Sequence, residues 1–381
     1  MNFSILNLIV ILGSIQGFLL ALVFLTNKQF NKKSNQFLAI LICTLSMPNL
    51  INALQELPIG AEYPILEFLP LYLLFLIPFS LYYYIQYLTE PDYRFSKKEY
   101  LLLIPACIQL IFQLYLLGLY LTDSPILSEG NRFLWICNSL FEAGSMTATF
   151  VVLVLVIRKL NRYEARLVEN YSNLESQSLS WLKNTMIVSL LLWACWFIPF
   201  VSGYGAESRA YYYPLFLGQA FISYWLGYAM YSRRDIFEKN EILSEEAKLE
   251  TPVSELSQKT DEHYQNLLSL IEEERLFKNP DISMTLLAAK MKLSNGYLSQ
   301  IINQKEGKNF FDFINGYRVE EVKRNLADPN FDHFSILGIG LEAGFKSKST
   351  FNAVFKKMTG HTPTAYKKLL TAKENKSKHL N

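Results

Sequence analysis

Apolar residues dominate the first 230 positions of the chain, and after Ser232 the pattern changes to short helical rhythms separated by polar turns. A helix that crosses a bilayer needs about 20 mostly apolar residues. Seven stretches meet that requirement, near 3–25, 36–55, 65–89, 99–121, 133–157, 184–203 and 211–231. The second holds Pro48 and two Asn in "LSMPNLINAL", which predicts a helix that kinks or ends early. Tyr82–Tyr84 and Tyr211–Tyr213 stand near span ends, where interfacial aromatic belts form. The first stretch has no basic residue before it and positives after it, which argues against a cleaved signal peptide.

Beyond Thr260 the rhythm is that of small amphipathic helices. "EHYQNLLSLIEEERL" places Leu267, Leu268, Leu270 and Ile271 on one face. Ser283 then caps a short helix carrying Leu286, Leu287 and Ala288. After a turn at Lys292–Leu293, Ser294 caps a second helix that buries Leu298 and Ile302. This leaves Asn295, Gly296, Tyr297, Ser299 and Gln300 facing outward. Two short helices joined by a tight turn form a helix-turn-helix, whose second helix enters the major groove of DNA. A longer amphipathic helix follows in "NFFDFINGYRVEEVKRNLAD", with Phe310, Phe311, Ile314, Val319, Val322 and Leu326 inward.

The motif then repeats in "SILGIGLEAGFKSKSTFNAVFKK". Ile339-Gly340 corresponds to Leu287-Ala288, Gly344-Phe345 to Lys292-Leu293, and Phe351 with Phe355 to Leu298 with Ile302. The second copy has one extra residue between its turn and its buried aromatic. Gly360 ends its second helix, and Thr362-Pro363 supplies the cap and first residue of another.

Charge adds an orientation. The net charge of +2 averages two unlike halves. Lys28, Lys32 and Lys33 follow the first apolar stretch; Arg94, Lys97 and Lys98 the third; Arg158, Lys159, Arg162, Arg166 and Lys183 the fifth; Arg233 and Arg234 the seventh. The alternate connections carry one basic residue at most, so the positive-inside rule places the N-terminus outside and the C-terminus in the cytoplasm. Residues 346–381 carry nine lysines against one acid, Glu374, as phosphate neutralisation requires. Between the halves, 233–260 is polar and interrupted by Pro252; Leu243, Leu249 and Leu256 stand at near-heptad spacing, so a flexible tether and a short dimerising coil are both open.

Chemistry is sparse. Cys43, Cys107, Cys137 and Cys195 are scattered singly in apolar runs, which excludes the spacing of a disulfide framework or a zinc site. The spans hold no His or Asp and no mid-span Lys in the seventh, so no catalytic constellation and no cofactor or metal are expected. Glu142, in "NSLFEAGSM" of the fifth span, is the one carboxylate set well inside a stretch. Intramembrane carboxylates are costly and raise a functional hypothesis. Its alternatives are a signalling role and a hydrogen-bonded packing role near Asn138 and Ser145. Gln16, Gln109, Gln113 and Gln219 suit either a pocket or interhelical hydrogen bonds.

The stretch 262–370 resembles the AraC/XylS family of bacterial transcription regulators, through Ile339, "GF", "S-x-F", "FKK-x-TG" and "TP-x-x-Y". The resemblance implies a seven-helix domain with two helix-turn-helix units, both reading successive major grooves on one face of double-stranded DNA. It also implies DNA contacts from Asn295, Gly296, Tyr297, Ser299 and Gln300 in the first unit, and from Lys346, Ser347, Lys348, Ser349, Thr350, Asn352 and Lys356 in the second. Three features depart from the pattern. Ala353 stands where the family often has Arg; Gly338 and Gly340 replace better helix formers; the first reading helix has no Arg or Lys, leaving Asn295 and Gln300, side chains suited to adenine.

The expected whole is all-α: a seven-transmembrane-helix bundle over 1–232, a linker over 233–260, an AraC-type DNA-binding domain over 261–371 and a basic tail over 372–381. Its expected role is a multi-pass, one-component regulator in a bacterial cytoplasmic membrane, with its DNA-binding domain in the cytoplasm. Partners would be DNA, the bilayer, a second copy in a homodimer, and a small-molecule or membrane-protein signal. The alternative is a transporter or channel with a cytoplasmic helix-turn-helix-like regulatory domain; few intramembrane charges weigh against it.

Overall fold

A computed structural model describes residues 5–26, 33–90, 92–127, 132–174, 178–202, 213–232 and 260–378. The linker expected over 233–260 lies outside the described residues except for Thr260, as does the end of the basic tail. Among the described residues the chain is helical, with no strand beyond an isolated antiparallel bridge between Tyr171 and Ser283. It divides into two units, one of residues 1–161 and 180–233, the other of 162–179 and 234–381.

The first unit holds α1 (Ile5–Thr26), α2 (Lys33–Gln55), α3 (Leu76–Thr89), α4 (Ile104–Leu121), most of α5 (Arg132–Asn170), α6 (Ser180–Ser202) and α7 (Tyr213–Ser232). Among the described residues, four helical stretches are long and apolar enough to cross a membrane: α1, α2, Lys97–Leu121 (a 3₁₀ turn running into α4) and α5. Small residues let the helices approach closely, as they do in lipid. A Cβ on Gly17 would lie 2.1 Å from Ser46 Oγ of α2, and one on Gly13 would lie 2.8 Å from Ala220 Cβ of α7.

Three expectations need correction. The third apolar stretch is not one helix: Pro64–Glu67 forms a 3₁₀ turn, irregular backbone follows, and α3 begins only at Leu76. Pro64 and Pro70 cannot donate to a helical ladder there. Of the two outcomes expected for the second stretch, an early end at Pro48 is excluded, because α2 continues to Gln55 with Pro48 inside it. Tyr83 and Tyr84 are buried rather than forming a belt. Tyr83 sits in an aromatic cluster with Phe37, Phe79, Tyr87 and Phe95, where Phe37 and Tyr87 stack with centroids 5.6 Å apart. A cation enters this unit from α5: Lys159 Nζ reaches Glu90 Oε1 at 3.0 Å and also donates to Gln86.

The second unit contains α8 (Thr260–Glu272), α9 (Met284–Met291), α10 (Asn295–Glu306), α11 (Phe310–Ala327), α12 (Ile336–Glu342), α13 (Lys348–Thr359) and α14 (Pro363–Lys378). Two apolar cores form, one around Leu267, Leu287, Leu298, Ile302 and Phe313, the other around Val322, Ile339, Phe345, Phe351 and Phe355. The central helix α11 serves both, giving Phe310, Phe313 and Ile314 to the first and Val319, Val322 and Leu326 to the second.

Candidate nucleic-acid interface

The internal repeat read from the sequence is present in backbone hydrogen bonds. In the first motif Leu293 N donates to Ala288 O at 2.9 Å; in the second, Phe345 N donates to Gly340 O at 3.1 Å. Lys292 and Gly344 occupy the matching left-handed positions, with φ of 55° and 99°. Only glycine fits at 344, because an added Cβ would meet Phe277 O at 2.5 Å. Gly340 is likewise required small: its Cβ would stand 2.7 Å from the Phe351 ring. Serine caps open all four helices, with Ser283, Ser294, Ser335 and Ser347 accepting from Leu286 N, Tyr297 N, Gly338 N and Thr350 N. Ser294 directly follows Leu293, whereas Ser347 lies two residues past Phe345, so the extra residue of the second copy is Lys346.

The expected DNA-facing residues divide by accessibility. On α10, Gly296 and Gln300 are exposed, and Asn295 and Ser299 are half-buried. Asn295 Nδ2 donates to Thr285 Oγ1 at 3.0 Å, which ties the start of α10 to α9. Tyr297 corrects the sequence reading: it is 5 % exposed, inside the first core. Its ring meets His263 of α8 edge-on, and its hydroxyl lies 3.3 Å from Thr260 Oγ1. The face of α10 turned toward α8 has no counterpart in a two-helix reading, so Tyr297 was assigned outward. The first reading helix also does contain a lysine, since α10 extends to Glu306; Lys305 is in its last turn, paired with Asp261.

On α13 and its approach, Lys346, Lys348, Ser349 and Lys356 are exposed, while Thr350 and Asn352 are half-buried. Ser347 is the helix cap, with Ser349 Oγ at 3.0 Å. Ala353 is exposed, so the missing Arg leaves an open position on this surface. The lysines are unequal. Lys346 pairs with Asp281 at 2.8 Å, Lys357 with Asp312 at 2.7 Å and Lys367 with Asp332 at 3.2 Å. Among the described residues Lys348 and Lys356 have no ion-pair partner, which leaves their charge available to an anion.

A polar centre missed in the sequence ties the central helix α11 to the segment that precedes the first motif. Arg318 of α11 is 1 % exposed. Its Nε donates to Phe277 O at 2.7 Å, Nη2 to Asn279 O at 2.8 Å and Ser172 Oγ at 3.2 Å, and Nη1 to Asn315 Oδ1 at 3.1 Å and Ser172 O at 3.3 Å. Burial pushes the guanidinium down to about 10, and it stays charged near neutrality. Ser172, from the segment after α5, also donates to Ile282 O at 2.8 Å. The only sequence signal was two polar residues, Asn315 and Arg318, i and i+3 on the inward side of an amphipathic helix.

Glu142, the residue singled out within the apolar half, is half-buried on α5. Ser145 bonds its backbone carbonyl at 2.8 Å rather than its carboxylate.

Residues 287–369 match a family model described as a helix-turn-helix domain. The chain is 30% identical over 95 residues to a probable transcription factor, PqrA, of Proteus vulgaris, covering 25% of this chain and 75% of that protein. It is 33% identical over 94 residues to the melibiose operon regulatory protein of Escherichia coli K12, covering 24% of this chain and 30% of that one. An uncharacterized HTH-type transcriptional regulator of Staphylococcus aureus is 31% identical over 87 residues, 23% of this chain and 11% of its own length. The chain therefore spans three quarters of the first relative and less than a third of the other two. A structure of a protein of unknown function from Listeria innocua shares 28% identity over 31% of this chain and 98% of its own, with a TM-score of 0.25. With the repeated motif, its caps, the family match and the likeness to the named regulators, the chain belongs to the AraC-type helix-turn-helix family and is a DNA-binding transcription regulator.

Proposed function

We propose that the chain is a membrane-anchored, one-component regulator: the helical unit of α1–α7 lies in the bilayer and passes a signal to the DNA-reading unit. One observation carries the reading. The first unit turns large apolar side chains outward along most of its helices, among them Leu12, Leu19, Ile111, Phe133, Leu140 and Phe221, whereas α8–α14 expose few. A surface of that extent in water is an association liability, and lipid removes the penalty. The basic connections then place the C-terminal unit on the cytoplasmic side, beside the genome. Phosphate contacts come from Lys348 and Lys356, and base contacts from Gln300, Asn295 and Asn352. Confinement to a membrane raises the local concentration of neighbours, which favours pairing on repeated half-sites.

The experiment is expression of the full chain with a C-terminal tag, followed by alkaline washing of membranes, protease treatment of intact spheroplasts, and selection of bound sequences from a random DNA pool. The tag is expected to stay with washed membranes, to resist external protease, and to recover a defined motif. Recovery in the soluble fraction, or cleavage of the tag from outside, would sink the anchored reading.

A further inference from the structure

The unit of α1–α7 encloses a cavity of about 520 Å³, a size typical of small-molecule sites. Helices α2, α4, α5, α6 and α7 and the broken segment before α3 all contribute to its wall. The lining residues fall in the halves of those helices that the charge asymmetry assigns to the outer side. Three features of the wall define what it would hold. Seven carboxamide side chains line it, an unusual density for a bilayer interior. Two carboxylates, Glu67 and Glu142, also line it, and among the described residues no Lys, Arg or His does. Aromatic rings, including Tyr72, Trp135, Phe141 and Trp193, complete it.

Hydrogen-bond accounting sharpens the chemistry. Gln113 Nε2 donates to Tyr72 O at 2.6 Å, and Asn49 Nδ2 donates to Phe216 O at 3.4 Å. Both partners are carbonyl oxygens, which only accept, so the orientation of each carboxamide is fixed. The opposite atoms, Gln113 Oε1 and Asn49 Oδ1, are buried with no partner. Asn49 itself is 1 % exposed. Tyr72 spends its hydroxyl proton on Asn52 Oδ1 at 3.1 Å. These donors are used within the protein and acceptors remain. Buried polar atoms without partners are rare and costly, and here they show that this wall is short of donors.

We infer that this cavity binds a small primary ammonium compound, whose N–H groups are taken up by Glu142 and Glu67 while its body lies against the aromatic wall. An ammonium supplies three donors and no acceptor, and the ring faces add cation–π attraction. This assignment rests on the reading of the first unit as a membrane sensor and names the class of its signal. It also selects the signalling alternative for Glu142 and the pocket alternative for Gln109, Gln113 and Gln219.

The test is calorimetric titration of the purified full chain in lipid nanodiscs. The probes are tyramine against 4-ethylphenol and 1,4-diaminobutane against 1,4-butanediol, pairs that differ in the ammonium groups. At least one amine is expected to bind at least tenfold more tightly than its uncharged partner, and N-trimethylation of tyramine, which removes the donors, weakens it. Glu142→Gln is expected to abolish the preference for the charged member. Glu67→Gln repeats the test should Glu142→Gln fail to fold, as judged by size-exclusion profile. Equal binding within both pairs, no saturable heat from either amine, or a preference that survives both substitutions overturns the site. Operator binding is measured on the same preparation. Amine binding without DNA binding leaves the site standing and removes the regulator reading; DNA binding without amine binding does the reverse.

Discussion

Glu321 illustrates how charge is used at the scale of the residue. It is buried on α11, with Lys278 Nζ at 2.6 Å, Arg324 at 2.7 Å and Arg275 at 3.7 Å. Burial pushes its carboxyl up, but the hydrogen bond and charge of Lys278, with the two guanidinium groups, hold it below the usual carboxylate range. A depressed carboxyl stabilises the folded state above its unfolded-state pKa, and that stability is lost as pH falls through the folded value. Glu321→Gln is therefore expected to cost about 1–3 kcal/mol near neutrality. The gap from the parent should shrink below about pH 4, the ordinary range of a glutamate. Paired denaturation curves from pH 7 to 3 check this, and a gap that stays constant would count against the ion pairs. None of this was legible in "RVEEVKRN", where Glu320 and Glu321 look alike; only packing shows that Glu321 points inward and Glu320 outward.

At the scale of the element, the informative piece is the short segment after α5. The sequence marked it as one of several basic cytoplasmic connections, yet it belongs to the DNA-reading unit. Tyr171 bridges Ser283, and Ser172 meets Asn315, Arg318 and Ile282. A segment more than a hundred residues upstream thus completes the polar centre between α11 and the residues that lead into the first motif. Ser172→Ala removes a donor to Ile282 O and an acceptor for Arg318 Nη2, a net loss of about 1 kcal/mol for each bond. Amides within 277–282 and 311–318 are expected to exchange with deuterium faster in that variant, with helices α1–α4 unchanged. Identical exchange in both proteins would show the segment to be peripheral. A fragment begun at Thr260 would lack Ser172 and leave part of the Arg318 fork without partners.

At the scale of the molecule, the proposed membrane insertion and DNA reading are separable, because the residues they would need do not overlap. Lys348→Ala with Asn352→Ala is expected to abolish operator binding while the protein still fractionates with washed membranes. Lys356→Ala alone should weaken binding evenly across sequences and lower the slope of log K against log salt by about 1. A variant of Lys348 and Asn352 that keeps operator affinity would mean that α13 does not read DNA. The paired lysines Lys346, Lys357 and Lys367 are expected to contribute less than Lys348 and Lys356, since each must give up a carboxylate first.

The sequence by itself determined the all-helical class, the apolar first half, the helix starts of the repeated motif and its serine and glycine punctuation. These are local properties: capping, periodicity and left-handed turns act within four or five residues, so the residues that cause them are neighbours in the chain. Tertiary structure alone decided that Tyr297 turns inward and which lysines are paired. It also decided that Ser172 meets Arg318, and that carboxamides from α2, α4 and α7 face one cavity with Glu142. Each of those outcomes depends on partners between about ten and two hundred residues apart. Burial and hydrogen-bond satisfaction are settled only when such partners meet, and no local pattern records them.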